Sequence, residues 1–147
     1  MNANRAGIGD PVSEYKVESL SDSERAALNA VCEVVVGAFY EVANTLGPGF
    51  LERVYEQALV RELRIRNLKA ESQVSVPVHY KGAAIGTYFA DILVEEKLIV
   101  ELKCVDRFSD EHFAQCINYL KATNIRICLL VNFQRAKVNW QRIAFNF

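Results

Sequence analysis

A chain of 147 residues has the length of one domain and is long enough to bury a hydrophobic core. With 51% apolar and 24% charged residues it reads as a globular protein, which excludes a collagen-like or intrinsically disordered chain. The net charge of −1 excludes a global positive field, so any contact with nucleic acid has to use a local basic face.

Residues 1–19 are polar, contain Gly7, Gly9 and Pro11, and read as a flexible N-terminal arm ahead of a single domain over 20–147. Ser21-Asp22-Ser23-Glu24 is a capping box, and Leu28, Val31, Val35, Phe39 and Val42 recur at helical spacing, predicting a helix to about Thr45. Gly47-Pro48-Gly49 ends it. A second helix is expected from Phe50 to Arg66, with Leu51, Val54, Tyr55, Ala58, Leu59 and Leu63 as its apolar stripe. The period then becomes two: Val74, Val76, Val78 and Tyr80 alternate with polar residues, and Pro77 suggests an edge strand. After the Lys81-Gly82 turn come strands Ile85–Val94 and Leu98–Cys104, linked by Glu95-Glu96-Lys97. Ser109 caps a third helix to about Ala122, Ile125–Phe133 is a buried strand, and Arg142–Phe147 is a last short strand. This order describes an α/β layer structure.

Cys32, Cys104, Cys116 and Cys128 lack the close spacing of a zinc or redox motif and lie in apolar stretches, which fits reduced cysteines and a cytoplasmic setting. The N-terminus lacks a basic-then-apolar leader pattern, and Glu33 and Glu41 interrupt the most apolar helix, so no membrane contact is expected.

The chemistry concentrates in Asp91 and Glu101-Leu102-Lys103. Alternation puts Ile99, Glu101 and Lys103 on one strand face, and Asp91 on a face with Phe89 and Leu93. A three-residue link pairs Val94 with Leu98, and so Asp91 with Glu101; a two-residue link would send the acids to opposite faces. Directly opposed side chains stand roughly 5 Å apart at Cβ. Two carboxylates there repel unless a cation or a proton joins them, so an odd link with a hard cation such as Mg²⁺ is the expectation. Lys103, two residues beyond Glu101, is suited to stabilise developing negative charge or to orient a water. Glu52, in the first turn of the second helix, is by itself only a carboxylate favoured by a helix N-terminus; beside Asp91 and Glu101 it becomes a candidate metal ligand. A charge cluster without chemistry explains the same acids and lysine.

On the third helix, Phe113, Cys116, Ile117 and Leu120 are core-like, while His112, Gln115 and Tyr119 form a polar-tipped ridge. If that ridge flanks Lys103, Gln115 can hydrogen-bond a phosphate, a water or the lysine. Arg53, Arg61, Arg64, Arg66 and Lys69, and Arg107, Lys121 and Arg126, are loose basic groups, some able to track phosphates.

Gly49-Phe50-Leu51-Glu52-Arg53-Val54-Tyr55 is similar to the signature of the GxxExxY proteins, which are placed in the PD-(D/E)XK nuclease superfamily. Leu46-Gly47-Pro48-Gly49, Tyr88-Phe89-Ala90-Asp91, Val100-Glu101-Leu102-Lys103, the stretch from His112 to Thr123, and Leu129-Leu130-Val131-Asn132-Phe133 also resemble that family. The chain departs from it at Ala43, where His is frequent, and at Gln134, where Gly is. The resemblance implies a restriction-endonuclease-like core, a central mixed β-sheet flanked by helices in α-α-β-β-β-α-β-β order. It implies Asp91, Glu101 and Glu52 at the metal, Lys103 as catalytic lysine, Gln115 as the helix polar residue, and Tyr119, His112 and Tyr55 in support. The implied activity is Mg²⁺-dependent phosphodiester hydrolysis, with Mn²⁺ as a substitute and nucleic acid, DNA before RNA, as partner. The alternatives are a non-catalytic nucleic-acid-binding module with a vestigial site, or a homodimeric assembly module that buries part of Val34, Val35, Val36, Phe39 and Tyr40.

Overall fold

The computed structural model describes residues 18–147; the expected arm, apart from its last two residues, lies outside them. Among the described residues three helices and five strands follow in the order α1 (Asp22–Leu46), α2 (Glu52–Ile65), β1 (Ala70–Tyr80), β2 (Ala83–Val94), β3 (Leu98–Lys103), α3 (Asp110–Thr123), β4 (Ile127–Asn132) and β5 (Asn139–Ala144). The capping box starts α1: Ser21 Oγ accepts from Glu24 N at 3.1 Å, and Glu24 Oε2 accepts from Ser21 N at 2.8 Å. Gly47, at φ 69°, takes the left-handed backbone that stops it. Ser109 precedes α3, where His112 Nδ1 accepts from Ser109 N at 3.1 Å, and Asn124 ends the helix in the left-handed region.

The strands form one mixed sheet in the order β1-β2-β3-β4-β5. Only β3 and β4 are parallel, with α3 as the crossover between them. Pro77 sits on the β1 edge, as its missing N–H requires. β1 starts four residues before the Val74 alternation because Ala70, Glu71 and Ser72 already pair with Val94, Leu93 and Ile92. β5 is Asn139–Ala144, three residues earlier than expected: all six residues pair with β4, while Phe145 and Phe147 pack as a tail against the core.

The sheet separates two cores. Leu98, Val100, Leu102, Leu129 and Val131 pack under α1 and α2, with Val35, Phe39, Leu59 and Leu63 fully buried. Ile99, Cys128 and Leu130 pack under α3 with Cys116 and Leu120. Burying each such side chain stabilises the fold by about 1.5–3 kcal/mol. α1 is long and apolar enough to cross a membrane by length and composition alone, but its apolar stripe carries the first core. The cysteines are free, three of them buried.

Candidate active site

The β2–β3 link has the odd length the alternation requires. Val94 pairs with Leu98, Leu93 with Ile99 and Ile92 with Val100. Glu95 and Glu96 take positive φ angles of 52° and 56° to close the turn, and Lys97 N donates to Val94 O at 3.0 Å. The next rung sets Asp91 opposite Glu101, and there the ladder stops. Asp91 N donates instead to Glu101 Oε1 at 2.9 Å, and Leu102 N donates to Asp91 Oδ2 at 2.8 Å. Side-chain oxygens thus replace the carbonyls the strands would otherwise share.

Strict alternation also fails at this point. Ile92 packs in the core under α1 and α2, whereas Ala90, two residues earlier, packs in the core under α3. It is consequently Tyr88, not Phe89, that approaches α3, its ring edge-to-face with Tyr119 at 6.4 Å. Opposite Asp91 in β1 stands Gln73, at φ 52°. That left-handed backbone is uncommon without glycine.

Gln73 and Glu56 are the site residues that sequence reasoning did not find. Gln73 Nε2 donates to Glu56 Oε1 at 2.8 Å and to Asp91 Oδ1 at 3.3 Å. Glu56 is only 7% exposed, although it follows Tyr55 on the buried side of α2. An acid inside an apolar stripe was the available signal, since burying an unpaired carboxylate is costly.

The carboxyl groups here all bind protons more tightly than usual. Burial, then the Asp91 carboxylate, pushes Glu101 up to about 9; Glu101 is 2% exposed. Burial also raises Asp91, against the lowering effect of the Leu102 amide. Burial and Asp91 raise Glu52, and burial raises Glu56 against its Gln73 bond. None of the four ion pairs among the described residues involves these groups. Burial and mutual repulsion therefore make it costly to ionise these acids together, which is the condition a hard dication relieves.

The donor set fits such a cation as a pair. Among the described residues no three His, Cys, Asp or Glu side chains converge as a cage. Asp91 and Glu101 are adjacent, and Mg²⁺ is commonly held by one or two carboxylates, with waters and substrate phosphate completing the shell. Glu52 stands at the rim, where its Oε2 accepts from Cys104 N at 3.2 Å.

Lys103 is held in place by its surroundings. Its carbonyl accepts from Phe133 N at 3.0 Å. Just beyond it, buried Asn132 accepts from Val105 N at 3.2 Å and donates to Val105 O at 2.7 Å. Tyr55 acts further back: its hydroxyl donates to Gly47 O at 2.6 Å and accepts from Phe50 N at 3.2 Å, while its ring stacks on Phe133 at 4.9 Å. It thereby fixes the loop from which Glu52 enters α2. The α3 ridge does flank the lysine, since Lys103, His112, Gln115 and Tyr119 line one cleft. Gln115 Nε2 donates to Tyr119 Oη at 3.0 Å, and that hydroxyl donates to Phe89 O at 3.1 Å. His112, besides its capping bond, has its proton affinity lowered by burial and by Lys103. Of the basic groups, Arg64, Arg66, Lys69 and Arg126 are engaged in structural bonds to Ala70 O, Glu62, Glu96 and Asn146 O.

A family model described as the PD-(D/E)XK nuclease superfamily matches residues 29–143, which include every one of these site residues. No curated protein matches the chain. The solved structure described as "Crystal structure of SSO0001" is similar in fold, with a TM-score of 0.50 at 20% identity over 63% of this chain. The match spans 50% of that other chain.

Proposed function

Because the chain belongs to the PD-(D/E)XK nuclease superfamily, we propose that it is a Mg²⁺-dependent nuclease that hydrolyses phosphodiester bonds, DNA in preference to RNA, with Mn²⁺ able to replace Mg²⁺. The Gly49–Tyr55 signature supports reading it as a GxxExxY protein. The observation that carries the proposal is the Asp91–Glu101 pair. Buried Glu101 and half-buried Asp91 are locked side by side, Glu101 accepting from the Asp91 amide and Asp91 from the Leu102 amide, with Lys103 two residues beyond Glu101 along the same strand.

In this reading Asp91 and Glu101 hold the cation, which when bound supplies positive charge to the scissile phosphate and acidifies a water. The Lys103 ammonium hydrogen-bonds a non-bridging phosphate oxygen or the attacking water, and so favours the extra negative charge of the transition state. Gln115, fixed by Tyr119, offers a neutral amide to the same phosphate. Glu52 ties the end of β3 to α2 through Cys104 N and adds a carboxylate at the rim. Gln73 keeps Asp91 facing Glu101.

The test is cleavage of single-stranded, double-stranded and branched DNA and RNA with and without Mg²⁺. The expected result is metal-dependent cleavage that disappears in Asp91→Ala and Lys103→Ala. A metal-loaded preparation that cuts none of these substrates refutes it.

A further inference from the structure

The β1–β2 hairpin is longer than the sheet that supports it. The two strands have 11 and 12 residues, yet β2 pairs with β3 only from Ile92 to Val94. The remainder forms an arm, exposed from Lys81 to Phe89. Between this arm and α3 lies a cleft of about 870 Å³, and Lys103 lies in its wall. Lys103 and Gln115 are thus shared between the cleft and the candidate active site, while Asp91 and Glu101 do not line it.

Its chemistry is specific. The arm contributes Tyr88 and His79; α3 contributes Gln115, Asn118 and Lys121. Two lysines and two histidines face one carboxylate, Glu111. Tyr88 remains 57% exposed because Tyr119 meets it only edge-to-face, which leaves ring surface open for another flat group. Ammonium groups for phosphates, an open aromatic ring for a base, and side-chain amides for base edges are what an unpaired polynucleotide strand requires. A space of this size suits a guest of small-molecule scale, such as a few unstacked nucleotides. Paired, stacked bases cannot offer their faces to Tyr88.

We propose that the cleft seats a single-stranded segment of nucleic acid, with a base stacked on Tyr88 and phosphates led past Lys121 to Lys103. For cleavage this rests on the nuclease reading, and it makes single strands, overhangs and frayed ends the substrates rather than the interior of a duplex.

The test is fluorescence anisotropy with the full chain in EDTA, which reads binding without cleavage. The probes are labelled single-stranded DNA, single-stranded RNA of the same sequence, and the blunt DNA duplex. Tighter binding of either single strand than of the duplex, by tenfold or more, is expected. Tyr88→Ala should weaken single-strand binding roughly tenfold, the order of one lost base–aromatic stack. Lys121→Glu should weaken it and lower the salt slope by about one. Tyr80→Ala, at the arm tip outside the cleft, serves as the control for surface damage and should bind like wild type. Equal or tighter binding of the duplex overturns the proposal. So does undetectable single-strand binding, or wild-type affinity in both cleft variants. A protein that binds single strands through Tyr88 but never cuts with Mg²⁺ defeats the nuclease reading alone. One that cuts duplex interiors at an unchanged rate in Tyr88→Ala defeats the cleft proposal alone.

Discussion

Asp91 and Glu101 hold each other through the backbone rather than through a counter-ion. The amide of Asp91 donates to Glu101 Oε1 at 2.9 Å, and Asp91 Oδ2 takes the amide of Leu102 at 2.8 Å. The geometry survives whichever carboxyl carries a proton, because both of these donors are backbone N–H groups. The two acids are thus pre-positioned at an electrostatic cost, and that cost is the lever by which a cation binds.

Glu101→Gln separates the two effects. The amide retains an oxygen to accept from Asp91 N and stays neutral without taking up a proton. Cleavage should fall at least a hundredfold, while the metal-free protein at pH 8 should unfold at a higher temperature, because its folding no longer draws a proton onto Glu101. Thermal melts in EDTA beside a cleavage assay check both. A variant that melts well below wild type, or still cuts, contradicts this account of the pair.

Stability in the absence of metal should fall as pH rises. Glu101 titrates near its ordinary value of 4.5 when unfolded and at about 9 when folded, so the native state binds the extra proton between those values. Its contribution is fully present below 4.5 and is lost as pH climbs through 9. One proton gives a slope no steeper than about 1.4 kcal/mol per pH unit. Urea titrations in EDTA from pH 5 to about 9 measure the slope, and millimolar Mg²⁺ should flatten it by binding the ionised pair. A metal-free stability that is level or rising across this window rules out the assigned proton.

How far the sequence revealed this arrangement depended on whether a local rule was obeyed. The sequence left the Glu95-Glu96-Lys97 link at two or three residues, and the odd length was inferred from the need to set Glu101 beside Asp91; the Val94–Leu98 pairing has that length. The Ser21 cap and the 3.6-residue spacing of Val35, Phe39 and Val42 settled α1. Gln73 was invisible because it violates a rule: nothing marks a left-handed residue in a strand when no glycine is present. The break in alternation between Ala90 and Ile92 was equally unmarked, so Phe89 was expected on a face with Asp91 and Leu93. Glu56 was passed over because Tyr55 and Leu59 explain the stripe without it.

Gln73 offers a way to part strain from positioning. Gln73→Ala loses both side-chain bonds and keeps a Cβ in the left-handed region; Gln73→Gly loses the bonds but relaxes the backbone. The glycine variant should therefore be more stable than the alanine variant by about 1 kcal/mol. Both should lose activity alike, roughly tenfold and in kcat rather than KM, because Asp91 is no longer steadied. Denaturant melts and steady-state kinetics on the two variants check this. Equal stabilities would remove the case for strain, and full activity in either would remove the case for positioning.

Tyr55→Phe isolates the loop clamp from the core. The ring stays stacked on Phe133, but Gly47 O and Phe50 N lose the hydroxyl that joins them. Tyr55 is 1% exposed, so a buried polar group is left without its partner, at about 1–3 kcal/mol. The loop leads directly into Glu52, whose bond to Cys104 N ties α2 to the end of β3. The expected outcome is a folded protein with lower stability and a several-fold loss of cleavage that excess Mg²⁺ does not restore, since Asp91 and Glu101 are untouched. Activity at saturating Mg²⁺, compared with Glu52→Gln, checks the chain of contacts. If Tyr55→Phe cuts as well as wild type while losing the stability, the clamp supports the fold without serving the site.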